Sequence, residues 1–269
     1  MIIDSFPFFN ELDLLESRLD YLYEHVDYFI LVESNVTFNG VEKPLYYLEN
    51  QLRYKKYQSK IIYYPYIFDN SKHNFDFNIK VDRMDYSTPQ WFLENAQRQH
   101  ITNFAIKFDN NDYIMISDLD EIPNREKIKF AIDHLPHSDC AVFVQDFFHY
   151  NLYSKFTHEW YGTAFSKISK LKQYGAQWFR NSRYDNNLFL PIKNGGWHLS
   201  YFFDIEKIIE KIESFAHQEF NREFYKDPNR IKLMIDNKKE LFGRDRFSMI
   251  ECTLDHFPET FLTSFKKFI

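Results

Sequence analysis

The sequence predicts an α/β fold, one domain built on a mostly parallel central sheet flanked by helices. Three observations carry this. Strand-like apolar runs alternate with helical periodicity through the first half of the chain, the pattern of a mostly parallel sheet joined by right-handed crossovers. A buried-strand run, Tyr113–Ile116, breaks into Ser117-Asp118-Leu119-Asp120-Glu121 and stops at Pro123, placing carboxylates at the strand end where such sheets bind ligands. The 269 residues contain only 6 glycines and no Pro/Gly/Ser-rich linker, so one domain over 1–269 is expected.

Ile2-Ile3 opens the first strand. Asn10 is the expected N-cap of an amphipathic helix over about Glu11–Glu24, with Leu12, Leu15, Leu19, Leu22 and Val26 at spacings of three and four. Tyr28–Val32 is the second strand, ending in Glu33-Ser34-Asn35. A short helix near Tyr47–Lys56 precedes a third strand, Ile61–Tyr64, closed by Pro65. Residues 68–87 are polar and aperiodic and read as a flexible surface loop. Ser87-Thr88-Pro89 starts a helix whose buried stripe is Leu93, Ala96, Ile101, Phe104, Ala105 and Phe108. Glu94 and Arg98 lie four apart on its other side. They read either as a surface ion pair or as an arginine aimed at a phosphate or an acidic site.

The second half differs in character. Cys140–Phe148 and Thr163–Leu171 read as strands, with His158–Gly162 between them and a polar segment, Arg180–Asn187, after them. Asp204 caps a helix with Ile205, Ile208, Ile209, Ile212 and Phe215 inward. Asp227-Pro228 opens another, with Ile231, Met234, Ile235 and Leu241 inward and Gly243 beyond its end.

Asp118 and Asp120 are two residues apart, so on an extended backbone both point to one side and can reach one divalent ion; an acidic solvated turn is the simpler alternative. The chain lacks G-x-G-x-x-G and G-x-x-x-x-G-K-S/T, which excludes a Rossmann dinucleotide site and a P-loop. A net charge of −6 argues against a nucleic-acid partner. Cys140 and Cys252 are too few for a disulfide framework or a zinc site and read as buried thiols. No signal-peptide pattern and no 18-residue apolar run occurs, so a soluble, cytoplasmic protein without a transmembrane segment is expected, and the sequon Asn35-Val36-Thr37 goes unused. Aromatics make up 20% of the chain, which serves cores, serves sugar stacking, or reflects genome composition. His100, His134 and His137 read as ordinary surface residues.

A resemblance adds to this. Asn10-Glu11-Leu12-Asp13-Leu14-Leu15-Glu16, Val32-Glu33-Ser34-Asn35-x-Thr37-x-x-Gly40 with Pro44-Leu45, Ser117-Asp118-Leu119-Asp120-Glu121-Ile122-Pro123 and Gly196-Trp197-His198-x-Ser200 together resemble glycosyltransferase family 17. The motifs stand in the family's order across residues 10–200, and the likeness weakens past about residue 215. It implies a GT-A-type fold, a UDP-sugar donor, Mn2+ (or Mg2+), inversion at the anomeric carbon and a glycan acceptor. N-acetylglucosamine from UDP-GlcNAc is the expected donor sugar. On this reading 1–123 is the nucleotide-sugar-binding half and 124–269 the acceptor-binding half. The family's animal members carry a membrane anchor that this sequence lacks, so the bisected N-glycan acceptor is not carried over.

The resemblance and the chemistry of the residues together suggest roles. Asp120 binds the ion, Asp118 reaches ribose and metal, and His198 is the third protein ligand or else a core or acceptor-contacting histidine. Glu121 orients its neighbours. Glu33 and Asn35 contact the nucleotide, with a loop-stabilising role as the alternative for Asn35, and Arg98 joins them as a donor-binding candidate. Inversion needs a general base; Glu219, Asp146 and Glu159 are the candidates, and Glu219, which follows Lys211-x-x-Ser214, is preferred. Trp160, Tyr161 and Trp197 form either a stacking floor for sugar or part of the core. Two other readings stay open: a different metal-dependent nucleotide-processing enzyme, and a non-catalytic sugar-binding protein derived from a transferase.

Overall fold

The computed structural model describes residues 1–79, 83–135, 139–244 and 247–269; His137 and residues 80–82 of the expected loop lie outside them. Among the described residues ten strands form one sheet: β1 (Ile2–Phe8), β2 (Tyr28–Ser34), β3 (Ile61–Tyr66), β4 (Tyr113–Ile116), β5 (Glu121–Pro123), β6 (Cys140–His149), β7 (Ser154–Lys167), β8 (Leu190–Ile192), β9 (Gly196–Ser200) and β10 (Met249–Glu251). Their order is β3-β2-β1-β4-β7-β6-β9-β5, with β10 on β7 and β8 on β6. β3, β2, β1 and β4 are mutually parallel. β7 runs antiparallel to both β4 and β6, while β8 and β9 lie parallel to β6.

Helices cover both faces, as the apolar runs require. Met115 faces a layer with Phe6, Leu15, Leu19, Phe143, Phe165 and Phe261. Its neighbours Ile114 and Ile116 face the opposite layer with Ile30, Val32, Ile101, Phe104 and Phe179. Such a strand has no wet side, which is why Tyr113–Ile116 reads as continuous rather than alternating. The first layer is closed by helix Leu12–Leu22 and the C-terminal helix Glu259–Ser264; the second by helices Pro89–Ala105, Ile168–Tyr174 and Ala176–Ser182.

Several expectations change. Helix Leu12–Leu22 is capped by Glu11 rather than Asn10; the Glu11 carboxylate accepts from the Phe9 and Asn10 amides, and Asn10 donates to Glu210. β3 passes through Pro65 to Tyr66, because β3 is an edge strand and leaves a missing N–H unneeded on its open side. The strand expected over Thr163–Leu171 is the end of the longer β7, which takes in His158–Gly162. The chain turns helical at Ile168, where Ile168 and Leu171, three apart, both bury. The helix after Asp227 ends at Asp236, and Leu241 buries from the segment beyond it. The described part of 68–87 is not merely polar: Phe68, Phe75 and Phe77 pack with Val36 and Leu93. Among the described residues no helix is long and apolar enough to cross a membrane, and both cysteines are free and buried.

Candidate active site

The β1–β4 boundary is where the parallel order reverses, since β1 leads to β2 on one side and β3 crosses back to β4 on the other. Open α/β sheets bind ligands at such a point, beyond the strand ends. A cavity of about 840 Å³ lies there, lined by residues following β1 and β4, by helix Pro89–Ala105 and by residues of β7, β9 and helix Ile205–Ser214.

The acidic stretch forms its floor. Between β4 and β5 the chain makes a tight turn, closed by the Glu121 amide donating to the Asp118 carbonyl at 3.1 Å. Asp118 and Asp120 both line the cavity, but a turn rather than the expected extended segment puts them there, and they meet different cations rather than converging on one point. The turn is held from beneath by Arg18. This fully buried guanidinium donates to the carbonyls of Asp118, Leu119 and Glu121 at 3.0, 2.9 and 3.1 Å, and pairs with Asp4 at 2.7 Å. Among the described residues the Leu119 carbonyl takes its hydrogen bond from Arg18, while the carbonyls of Asp118 and Glu121 also accept from the Glu121 amide and the Thr163 hydroxyl.

Protein cations flank each carboxylate. Asp118 takes Arg98 on Oδ1 at 2.8 Å and Arg180 on Oδ2 at 3.1 Å. Burial works to raise its carboxyl, but the two guanidinium groups outweigh that and hold it well below the ordinary range. Asp120 meets Lys211 at 3.3 Å and His198 Nε2 at 3.5 Å. Burial again opposes, and Lys211 and His198 prevail, keeping it ionised. Arg98 also bonds Glu94 at 3.1 Å, so the helical ion pair and the arginine aimed at an acidic site are both present.

Glu121 does not line the cavity; it orients what does. Fully buried, it receives both Arg183 amino groups, Arg180 at 3.1 Å, the Trp160 indole N–H at 2.7 Å and the Asp118 amide at 3.0 Å. Trp160 is thereby fixed in the cavity wall, and His198 is seated between it and Phe147, with ring centroids 4.6 and 4.5 Å away.

The structure therefore brings together Arg98, Asp118, Asp120, Trp160 and His198. Strand alternation sends other candidates elsewhere. Trp197, beside His198 on β9, points into the core against Phe261 at 4.2 Å. Tyr161, beside Trp160, packs on Tyr184 and the second apolar layer. Glu33 is fully buried behind the site, accepting from the Tyr47 amide, the Tyr63 hydroxyl and Lys43. Asn35 clamps Phe68 through both its amide and carbonyl, the loop-stabilising alternative. Of the proposed bases, Asp146 pairs with Lys155 and His256, Glu159 with Lys193, and Glu219 with His217; none lines the cavity, whereas His217 does.

Sequence reasoning passed over Arg18, Arg180, Arg183, Trp91 and His217. The spacing of Arg180 and Arg183 was a usable signal. Three residues apart across the end of helix Ala176–Ser182, they share one face.

Among the described residues, no group of three or more His, Cys, Asp or Glu side chains is arranged to hold an ion by itself. The Asp120 carboxylate and His198 Nε2, facing each other, still form an oxygen-and-imidazole pair compatible with Mn2+ or Mg2+ once phosphate oxygens and water complete the shell. Both Asp118 oxygens are occupied by arginines, so Asp118 fits that donor set less well.

The sequence model of Glycosyltransferase family 17 matches residues 1–251. No curated protein matches the chain. Among solved structures, a 4-diphosphocytidyl-2C-methyl-D-erythritol synthase aligns at 9% identity and TM-score 0.43, over 74% of this chain and 88% of that one. The galactosyltransferase LgtC, in complex with donor and acceptor sugar analogues, aligns at 9% identity and TM-score 0.30, over 67% of this chain and 64% of that one.

Proposed function

The chain belongs to glycosyltransferase family 17, and from that premise we propose that it moves N-acetylglucosamine from UDP-GlcNAc to a glycan hydroxyl, with inversion and with help from a divalent cation. The observation that carries this reading is the convergence of Arg98, Arg180, Lys211 and the Asp120–His198 pair on one cavity at the carboxyl ends of the parallel strands.

A nucleotide sugar brings a diphosphate whose negative charge grows as the sugar leaves. Asp120 and His198 would hold the cation, which when bound stabilises that charge as a Lewis acid. Arg98 and Arg180 present planar N–H arrays suited to phosphate oxygens. Their pairing with Asp118 keeps them oriented before the donor arrives, so little reorganisation is required on binding. Lys211 offers a third positive charge beside Asp120. The Trp160 ring, fixed by Glu121, supplies an apolar face of the kind sugar rings stack on.

UDP release from a panel of UDP-sugars, with and without Mn2+, compared between wild type and Asp120→Asn, tests this. Mn2+-dependent turnover of UDP-GlcNAc that is lost in the variant is the expected result. Turnover of a different UDP-sugar replaces the donor and keeps the chemistry. Failure of either protein to bind any nucleotide in the presence of metal overturns the reading.

A further inference from the structure

We propose that His217 is the general base that deprotonates the acceptor, and that Glu219 is its positioning residue. The inference rests on the transferase reading above and moves the base from the carboxylate to the imidazole.

The carboxylates lining the cavity are poorly placed for the task. Asp118 and Asp120 are held ionised by protein cations, which makes them weak proton acceptors. Glu94 is paired with Arg98, and Glu11 accepts from two backbone amides. His198 is seated between Phe147 and Trp160 with its Nε2 toward Asp120.

His217 is arranged differently. Its Nδ1 lies 2.7 Å from Glu219 Oε1, and the ring lines the cavity while remaining 37% exposed. Glu219 is buried behind it. A carboxylate on Nδ1 selects the tautomer with the proton there and leaves the Nε2 lone pair as acceptor. Among the described residues Nε2 makes no hydrogen bond. The Trp91 ring stands edge-on to the imidazole at 4.8 Å, limiting its rotation. The second Glu219 oxygen is buried without a partner, so the carboxylate is committed to one neighbour. This is the nucleophile-side logic of a base oriented by a third group.

In the transfer step the acceptor hydroxyl oxygen forms a bond to the anomeric carbon as its proton passes to His217 Nε2. The bond from that carbon to the phosphate oxygen breaks, and its electron pair departs with the diphosphate. The resulting imidazolium is stabilised by Glu219 and returns its proton to solvent.

The test uses full-length protein with UDP-GlcNAc, Mn2+ and benzyl glycosides of mannose, glucose, galactose and N-acetylglucosamine, following UDP release with and without acceptor. His217→Ala is expected to lower kcat by about 10²–10⁴-fold, with UDP-GlcNAc KM and UDP binding retained, and added imidazole should restore part of the rate. Glu219→Gln should give a smaller kcat loss that imidazole does not restore. Thermal melting of both variants reports folding, and His217→Gln provides a second variant that keeps a polar side chain but accepts no proton. A folded His217→Ala or His217→Gln with wild-type kcat overturns the base and leaves the transferase reading intact. A kcat loss in His217→Ala that imidazole cannot restore also overturns it, because the role is then structural. If the wild type turns over a different UDP-sugar, the same comparison is made with that donor; failure of the wild type to bind any nucleotide in the presence of Mn2+ removes the reading and the base together.

Discussion

Arg183 clamps Glu121 through two hydrogen bonds of 2.9 Å, Nη1 to Oε2 and Nη2 to Oε1, with both side chains almost wholly inside the protein. The pair sits beneath the cavity rather than in it. Through Glu121 it fixes the Trp160 ring, Arg180 and the Asp118 amide at once. Burial, then the neighbouring Asp118 charge, push the Glu121 carboxyl upward, against Arg180.

Replacing Glu121 with Gln should leave Arg183 buried without its counter-charge. Breaking such a pair from one side costs ~3–5 kcal/mol. The urea midpoint should fall accordingly, and donor turnover should fall with it because Trp160 and Arg180 lose a shared anchor.

The two tryptophans should separate cleanly. Trp197→Ala empties a core position against Tyr21 and Phe261 and should cost about 3–5 kcal/mol, seen as a lower melting temperature. Trp160→Ala should act mainly on the KM for donor or acceptor. A KM effect without destabilisation from Trp197→Ala would show that this ring contacts sugar after all.

Acid should destabilise the site in a defined direction. The Asp118 and Asp120 carboxyls are lowered in the folded state, burial opposing and the neighbouring cations prevailing. Their contribution is therefore complete above the ordinary carboxylate value of about 4 and is lost as pH falls below it toward the folded values. Melting temperatures from pH 7 to pH 3 should fall less steeply for Asp118→Asn than for wild type.

Gly196 should tolerate no side chain. Its φ is +131°, and a Cβ there would stand 2.0 Å from the Ile122 carbonyl oxygen, where β9 and β5 pair. Gly196→Ala should cost ~1–3 kcal/mol in backbone strain alone. Because β9 carries His198, the transferase reading proposed above expects UDP release in the presence of Mn2+ to drop more than stability does, which paired melting and turnover measurements would show.

Much of this protein was determined by its sequence. The both-faces-buried run Tyr113–Ile116, the leucine stripe of Leu12–Leu22 and the Thr88-Pro89 helix start are local patterns. Backbone geometry converts them directly into strand and helix. The order of four short motifs pointed to the family and to His198.

Tertiary structure decided the rest. Alternation along a strand says that Trp160 and Tyr161, or Trp197 and His198, face opposite ways, but not which face meets the cavity; that depends on the neighbouring layers. The cations around the acidic turn come from Arg18, Arg98, Arg180, Arg183 and Lys211, on other elements of the chain; local spacing offers Arg98 for an acidic site and sets Arg180 and Arg183 on one face, but names the turn as partner for none of them. They become partners because the sheet stacks their elements around one turn. Its buried carboxylates and carbonyls would each carry a desolvation cost if left unpaired.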